Sequence, residues 1–454
     1  MPGKNQEGEV SPSLFSTQEM DAIFSLAHQL RCMARFEWAL SAALEAHGLG
    51  AHGASAAFEP LLDGAFVDVP SLLHGAQRSG NLAIPFVGQL TAALHPINPA
   101  AAASLHRGAT SQDLLDTALV LQMREAIQIL RRDLDSLESR LLRQTRTHAD
   151  TLLAGRTLLQ DAPPVTLGLK LAGFLEAVRR HRQRLDASAR RALVLQFGGA
   201  TGTLAALGEK GTAVSAELAR RLELEEPRIP WHTHRDNLVE LASGLALLVG
   251  TLGKFARDVS LLMQTEVGEV LEPVAEGRGG SSTMPHKRNP VASAIILAAA
   301  ARTPGLVSTL FSSMIQEHER GLGGWHVEWE AIPAIFRLTA VALARSIEIA
   351  AGFEVHPERM IANIDATRGL VMAEAVAVAL TATMDRAQAH ALLERAVARA
   401  QSENRHLREI LLETPEIRAS LSEAQLNRLF EPRQYLGSAR VWIARVTGDS
   451  DADR

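Results

Sequence analysis

Aromatic residues make up only 4% of this 454-residue chain, with a single Tyr, 5 Trp and 13 Phe. Sheets favour β-branched and aromatic side chains, whereas Ala and Leu, abundant here, favour helix, so the scarcity argues against a β-rich fold. Cysteine is scarcer still. Cys32 stands alone, which excludes an intrachain disulfide and leads us to expect no metal site built on cysteine. No uncharged apolar run reaches membrane-spanning length, Ile295 to Ala301 being too short, and the polar stretch from Met1 to Val10 lacks the apolar centre of a signal peptide. A cytoplasmic location with no membrane partner is the expectation. An excess of positive charge is missing too: 46 Lys and Arg against 51 Asp and Glu give a net charge of −5. A field of that sign works against nucleic-acid binding. An anionic ligand would need a local cluster of cations and backbone N–H groups instead.

What the chain does have is long apolar periodicity. The clearest stripe runs Leu238, Leu241, Leu245, Leu248, Leu252, Phe255, Val259, Leu262. Its steps alternate three and four, which lines up one helix face. A second stripe is Val120, Met123, Ile127, Leu130, Leu134, Leu137, Leu141, and a third is Leu171, Phe174, Val178, His181, Leu185, Ser188, Ala192, Leu195. Each predicts a helix of roughly 25 residues or more, about 40 Å long. Breaks fall at Gly48 to Gly53, at Asp161-Ala-Pro-Pro, at Gln196 to Gly211, at Glu225 to Pro230, at Gly277 to Pro290 and at Gly352 to Pro357, where turn-forming residues cluster. The expected fold is all-α, in three helical domains: an N-terminal domain over 1–108, a central long-helix bundle over 109–352, and a C-terminal domain over 353–454.

Chemistry gathers in a few strings. Gly280-Ser-Ser-Thr-Met-Pro-His-Lys-Arg-Asn-Pro290 offers hydroxyls, an imidazole, an ammonium, a guanidinium and an amide in one short loop, and consecutive N–H groups there could form an anion nest. Leu105-His-Arg-Gly-Ala-Thr-Ser-Gln-Asp113 places Thr110 and Ser111 where the second stripe begins. Free N–H groups and hydroxyls at a helix start suit a carboxylate, although a plain N-cap, with Asp113 complementing the dipole, reads as well. Gly155-Arg-Thr-Leu-Leu-Gln160 and Gly80-Asn-Leu-Ala-Ile-Pro85 add further polar groups. His148 continues the second stripe and reads as a buried, satisfied core histidine. Glu266 continues the first stripe and should be paired if it faces the bundle. His232, His234 and His318 lack the partners of a metal site, and no Gly-rich loop follows a strand pattern, so no metal, nucleotide or organic cofactor is expected.

The first of these strings resembles, at every patterned position, the signature loop of the fumarase/aspartase superfamily, which includes argininosuccinate and adenylosuccinate lyases. The resemblance implies that Ser281 is the catalytic acid/base and that Lys287 supports the anionic intermediate together with Asn289. It also implies substrate contacts for His106, Thr110 and Ser111, for Thr157 and Gln160, and for Asn81. Gly198-Gly-Ala-Thr-Gly-Thr203 is similar to a Gly-rich turn that lets elements approach closely in this fold. Several strings are closer to the bacterial 3-carboxy-cis,cis-muconate cycloisomerases, above all Glu317-His-Glu-Arg-Gly-Leu-Gly-Gly-Trp-His326 with Glu328-Trp-Glu330. Many superfamily lyases carry a His directly after the Thr of the third string. Leu158 stands there, where the muconate enzymes typically have Trp, and Asp161 stands where they have His. The resemblance thus implies interconversion of a small tricarboxylate, 3-carboxy-cis,cis-muconate, with its lactone in protocatechuate catabolism, by a homotetramer whose active sites are shared between subunits. Two alternatives stay open. One is a fumarate-releasing lyase of the adenylosuccinate or argininosuccinate kind, against which Leu158 argues. The other is a non-enzymatic protein that kept the fold, against which the intact Ser281, Lys287 and Asn289 argue.

Overall fold

All three stripes are buried faces of long helices in a computed structural model of the chain, which describes residues 14–273, 284 and 287–449. Helix α1 spans Leu26–Ala46 and is started by Ser25, whose hydroxyl accepts from the His28 amide at 3.2 Å. Helix α2 spans Ser111–Thr147, 37 residues, and carries the Val120 to Leu141 stripe at 1% exposure or less throughout. Helices α3, Leu167–Ala192, and α4, Asp236–Leu262, bury the other two stripes. Two more long helices, α5 at Val291–Ser313 and α6 at Gly324–Gly352, were not signalled by a stripe. Both contain a proline, Pro304 and Pro333, which reads as a breaker, and α5 is apolar around much of its circumference rather than along one face. Shorter helices make up most of the rest, and the fold is mostly helical as expected.

The segment around Asp161-Ala-Pro-Pro differs from a simple break. Strand β1, Leu152–Thr157, pairs antiparallel with β2, Gln160–Thr166, and only Leu158 and Leu159 form the turn. Both have positive φ, 51° and 64°. A two-residue turn of that kind ordinarily takes Asn-Gly or Asp-Gly, so the sequence carried no hairpin signal. Both strands are edges, which tolerates Pro163 and Pro164. The register shifts at Ala154/Gly155, and a Cβ on Gly155 would lie 2.4 Å from the Pro163 carbonyl oxygen, so this position requires glycine.

By compactness the chain divides into two units. The first comprises Met1–Leu134, His181–Leu252 and Ala298–Ala344, and the second Asp135–Arg180, Gly253–Leu297 and Arg345–Arg454. Within the second, the short C-terminal helices gather around their own core of Leu380, Leu392, Leu407, Ile410, Leu411 and Leu426. Within the first, Arg235 is fully buried at the start of α4. It donates to both oxygens of Asp116, at 2.7 and 3.0 Å, and to both oxygens of Glu328. Trp325 Nε1 donates to Asp116 at 2.9 Å. Burial works against the guanidinium charge, but the two carboxylates outweigh it and hold its pKa above the ordinary arginine value.

Removing the cation from this network should be expensive. Arg235→Met leaves Asp116 and Glu328 buried without their partner, a change worth about 3–5 kcal/mol. A clear fall in the thermal unfolding midpoint is expected. A midpoint equal to that of the unsubstituted chain would show that the network does not hold this unit together.

Candidate active site

The first unit carries His106, Thr110, Ser111 and Asn81. The loop into α2 turns sharply, with φ of 59° at His106 and 82° at Gly108. His106 Nδ1 lies 2.5 Å from Glu37 Oε1, and Glu37 on α1 is fully buried. Burial is the largest influence on the ring and disfavours its charge. The Glu37 carboxylate, helped by Asp113, overcomes it and raises the pKa above the ordinary histidine value. Helix α2 begins at Ser111, and the cap is made by Asp113 reaching back to the Thr110 amide at 3.0 Å rather than by Ser111. Among the described residues the hydroxyls of Thr110 and Ser111 make no hydrogen bond. Asn81 is engaged locally: its Oδ1 accepts from the Ala83 amide at 3.0 Å and its Nδ2 donates to the Ser79 carbonyl at 3.4 Å.

Asp113 does more than complement a helix dipole. It is buried and accepts from Gln196 Nε2, the Gly198 and Gly199 amides, and His232 Nε2 at 2.8–3.0 Å, besides Thr110. The Gly-rich turn is thereby clamped onto the His106–Thr110 loop. A Cβ on Gly199 would lie 2.8 Å from the Gly108 carbonyl oxygen, and one on Gly108 would lie 2.7 Å from Leu207. Close approach is therefore the physical use of these glycines. Arg320 ties the same two segments, donating to Gln112 Oε1 at 3.3 Å and to the Ala200 carbonyl at 2.7 Å. The string from Glu317 to Glu330 thus acts largely as a buttress, through Arg320, Trp325 and Glu328.

The second unit carries Thr157, Gln160, Lys287 and Asn289. Thr157 and Gln160 are partners across the hairpin. The whole tip is exposed, Leu158 at 97% and Leu159 at 77%. Arg156 anchors it by a two-pronged contact with the buried Glu269, at 2.9 and 2.7 Å, and Asn363 donates to the same carboxylate. The paired carboxylate that the first stripe suggested is therefore Glu269. Glu266 is exposed, because α4 ends at Leu262 and the stripe no longer applies beyond it. Lys287 is exposed and Asn289 half-buried, just before α5. The first amides of α5 are already bound by Glu272, at 3.0 Å for Ala292 and 2.8 Å for Ser293. Arg288 is held by Glu354. Ser281 lies outside the described residues.

Other expectations resolve as follows. His232 is structural, as its bond to Asp113 requires. His148 is half-buried rather than deep in the core; it meets the Thr151 hydroxyl at 3.2 Å and stacks on Phe353. Burial lowers its pKa. Cys32, expected to belong to no metal site, does stand in a group that could hold an ion, with His28 and Glu125. His28 Nε2 is 3.0 Å from Glu125 and 3.7 Å from Cys32 Sγ. Arg31 approaches His28 Nδ1 at 3.1 Å. A guanidinium only donates, so Nε2 carries the ring proton and points it at Glu125, leaving no lone pair for a metal. Burial pushes the Cys32 thiol up to about 12. Glu37, Asp113, Gln196, Arg235, Glu269 and Arg320 were not singled out as site residues from the sequence. A carboxylate inside an apolar stretch was the available signal for Glu37. Cavities of about 310, 290 and 170 Å³ are lined by none of the predicted site residues.

Comparison with known proteins places this geometry. A lyase family model matches residues 75–305, and a model of the adenylosuccinate lyase C-terminus matches 369–446. The chain is 51% identical to a 3-carboxy-cis,cis-muconate cycloisomerase of Pseudomonas aeruginosa, over 96% of this chain and 95% of that one. A 3-carboxy-cis,cis-muconate cycloisomerase of Bradyrhizobium diazoefficiens is 46% identical, with 97% of this chain and 98% of the other covered. The crystal structure of a 3-carboxy-cis,cis-muconate lactonizing enzyme from Pseudomonas putida superposes with a TM-score of 0.91 at 50% identity, covering 97% of this chain and 98% of that one. The likeness is nearly full-length in sequence and in fold, and the chain belongs to the lyase family of the fumarase/aspartase superfamily.

Proposed function

We propose that the chain is a cycloisomerase that interconverts 3-carboxy-cis,cis-muconate and a carboxymuconolactone in protocatechuate catabolism. The observation that carries this is the 51% identity to a cycloisomerase over 96% of the chain. The chemistry agrees. In the lactonising direction one substrate carboxylate oxygen adds to a diene carbon. A C–O bond forms, a C=C π bond is lost, and charge builds on the carboxylate conjugated with it. A proton delivered to the neighbouring carbon completes an isomerisation with no other reactant. In reverse, the group expelled is a carboxylate, already a stable anion that gains little from protonation. A leucine where many relatives place a proton-transferring histidine is coherent with such a leaving group.

Within this reading Ser281 moves the proton, Lys287 and Asn289 stabilise the developing charge, and His106, Thr110, Ser111, Thr157, Gln160 and Asn81 contact the substrate. A homotetramer with shared sites supplies the rest. Its support is the distribution of groups and of apolar surface. The described candidate residues divide between two units, half-buried in the first and mostly exposed in the second, and an apolar hairpin tip faces solvent. Helices α4 and α5 are long and apolar enough to cross a membrane, a length that counting only uncharged runs had missed. The fold buries 56% of the apolar window of α4 but only 28% of that of α5. Apolar surface left open on a folded chain supports a contact with another subunit.

Three outcomes are expected. Mixing the purified protein with 3-carboxy-cis,cis-muconate should deplete the diene absorbance; no change there, with fumarate released from argininosuccinate or adenylosuccinate, would transfer the assignment to the lyases. Ser281→Ala should cost roughly 10²-fold or more in turnover while assembly is kept, and Lys287→Met should also be severe. A Ser281→Ala protein with more than about a tenth of the original activity would remove the serine from the acid/base role. Light scattering should report a tetramer, and an active monomer would contradict the shared site.

A further inference from the structure

We propose that Glu37, on the N-terminal helix α1, is a positioning residue of the active site: its buried carboxylate fixes His106 through Nδ1 and so presents the ring's Nε2–H to a carboxylate of the substrate. The inference rests on the reading of His106 as a substrate contact. Three observations carry it. Glu37 is fully buried, and its Oε2 has no hydrogen-bond partner, so His106 at 2.5 Å is the one polar group that compensates it among the described residues. His106 holds φ at 59°, a left-handed conformation that is unfavourable for a non-glycine residue and persists only where the surroundings impose it. The ring keeps 20% of its side-chain surface open. Its Nε2 makes no hydrogen bond to any described residue, four positions before Thr110.

A carboxylate removed from water is stable only when its charge is matched. A neutral imidazole would leave Glu37 unmatched, and an imidazolium matches it. The titratable groups that face the ring are Glu37 from α1 and Asp113 from α2, and both favour its charged form. Asp113 is already bound by five donors, His232 among them, so Glu37 has the larger hold. The consequence is a fixed cation beside Thr110 and Ser111 in a protein of net charge −5. The sign follows: because the ring's pKa is raised, the cation is fully present at acid pH and is lost as pH rises through the elevated value.

Two measurements test this. The first is independent of substrate: diethyl pyrocarbonate modification of His106, read by peptide mass spectrometry against pH. The reagent attacks the neutral ring, so Glu37→Gln should bring modification in at a lower pH than in the unsubstituted protein. The second is steady-state turnover of 3-carboxy-cis,cis-muconate from about pH 5.5 to about pH 8.5. Glu37→Gln should raise KM near neutrality with kcat little changed, and the gap should close towards acid pH. Glu37→Asp should recover part of the loss. In a His106→Asn background, Glu37→Gln should have no further effect. An unshifted modification profile, or equal and additive losses in kcat at every pH, would overturn the proposal. If Glu37→Gln does not fold, the same modification profile and KM comparison on Glu37→Asp decide it. A shifted modification profile in a protein inert towards the muconate would uphold the Glu37 pair and discard the cycloisomerase reading instead.

Discussion

Buried carboxylates must be matched, and in this chain they are matched by loops. Asp113 takes amide hydrogens from Thr110, Gly198 and Gly199 together with side-chain donors from Gln196 and His232. Glu272 takes the first amides of α5, and Glu269 takes the guanidinium of Arg156 beside the hairpin tip. In each case donors that their own element leaves without a partner are taken up by a carboxylate rooted in another segment. The cost of leaving such a charge unpaired is larger than the strain of the turns. At His106 the buried Glu37 carboxylate helps to hold a positive φ on a residue other than glycine. The geometry of the candidate site is in this sense a by-product of charge burial.

How much of this the sequence disclosed depended on what kind of regularity carried it. The helices α2, α3 and α4 were legible because a period of 3.5 residues repeats over six or seven turns, and every residue of the three stripes is buried. Helices α5 and α6 were not, since a proline interrupts each and, in α5, apolar residues lie on more than one face. The hairpin was not, since a Leu158-Leu159 turn relies on tertiary support that local turn chemistry does not announce. The site divides in the same way. His106, Thr110 and Ser111 could be proposed because they sit in one short string. Glu37 lies 69 positions away from its partner, and its place inside an apolar stretch marks it as buried without naming that partner. Asp113 was seen, but as a dipole partner, because five donors arriving from three segments cannot be read from one of them.

Three residues of the string from Glu317 to Glu330 act on the loops around Thr110. Trp325 and Glu328 grip Asp116 and Arg235, and Arg320 bridges Gln112 to Ala200. These contacts set where the first turn of α2 points and how closely the Gly-rich turn approaches it. A resemblance in such a string is therefore informative about the shape of a site through Arg320, Trp325 and Glu328, which tie these segments together.

Charge supplies the remaining constraint. A substrate with three carboxylates must bind a protein whose own net charge is −5, so attraction has to come from groups whose positive character is local and fixed. In the proposed site Lys287 is one, and the hydroxyls of Thr110 and Ser111 add dipoles without adding charge. His106 becomes another only because Glu37 is buried against its far side. A carboxylate placed behind a cation lowers the net charge that the substrate meets, yet it also keeps that cation in being to a higher pH than a free imidazole would. The exchange is favourable when the carboxylate stays sealed from the ligand, and Glu37, fully buried behind a ring that is itself partly open, satisfies that condition.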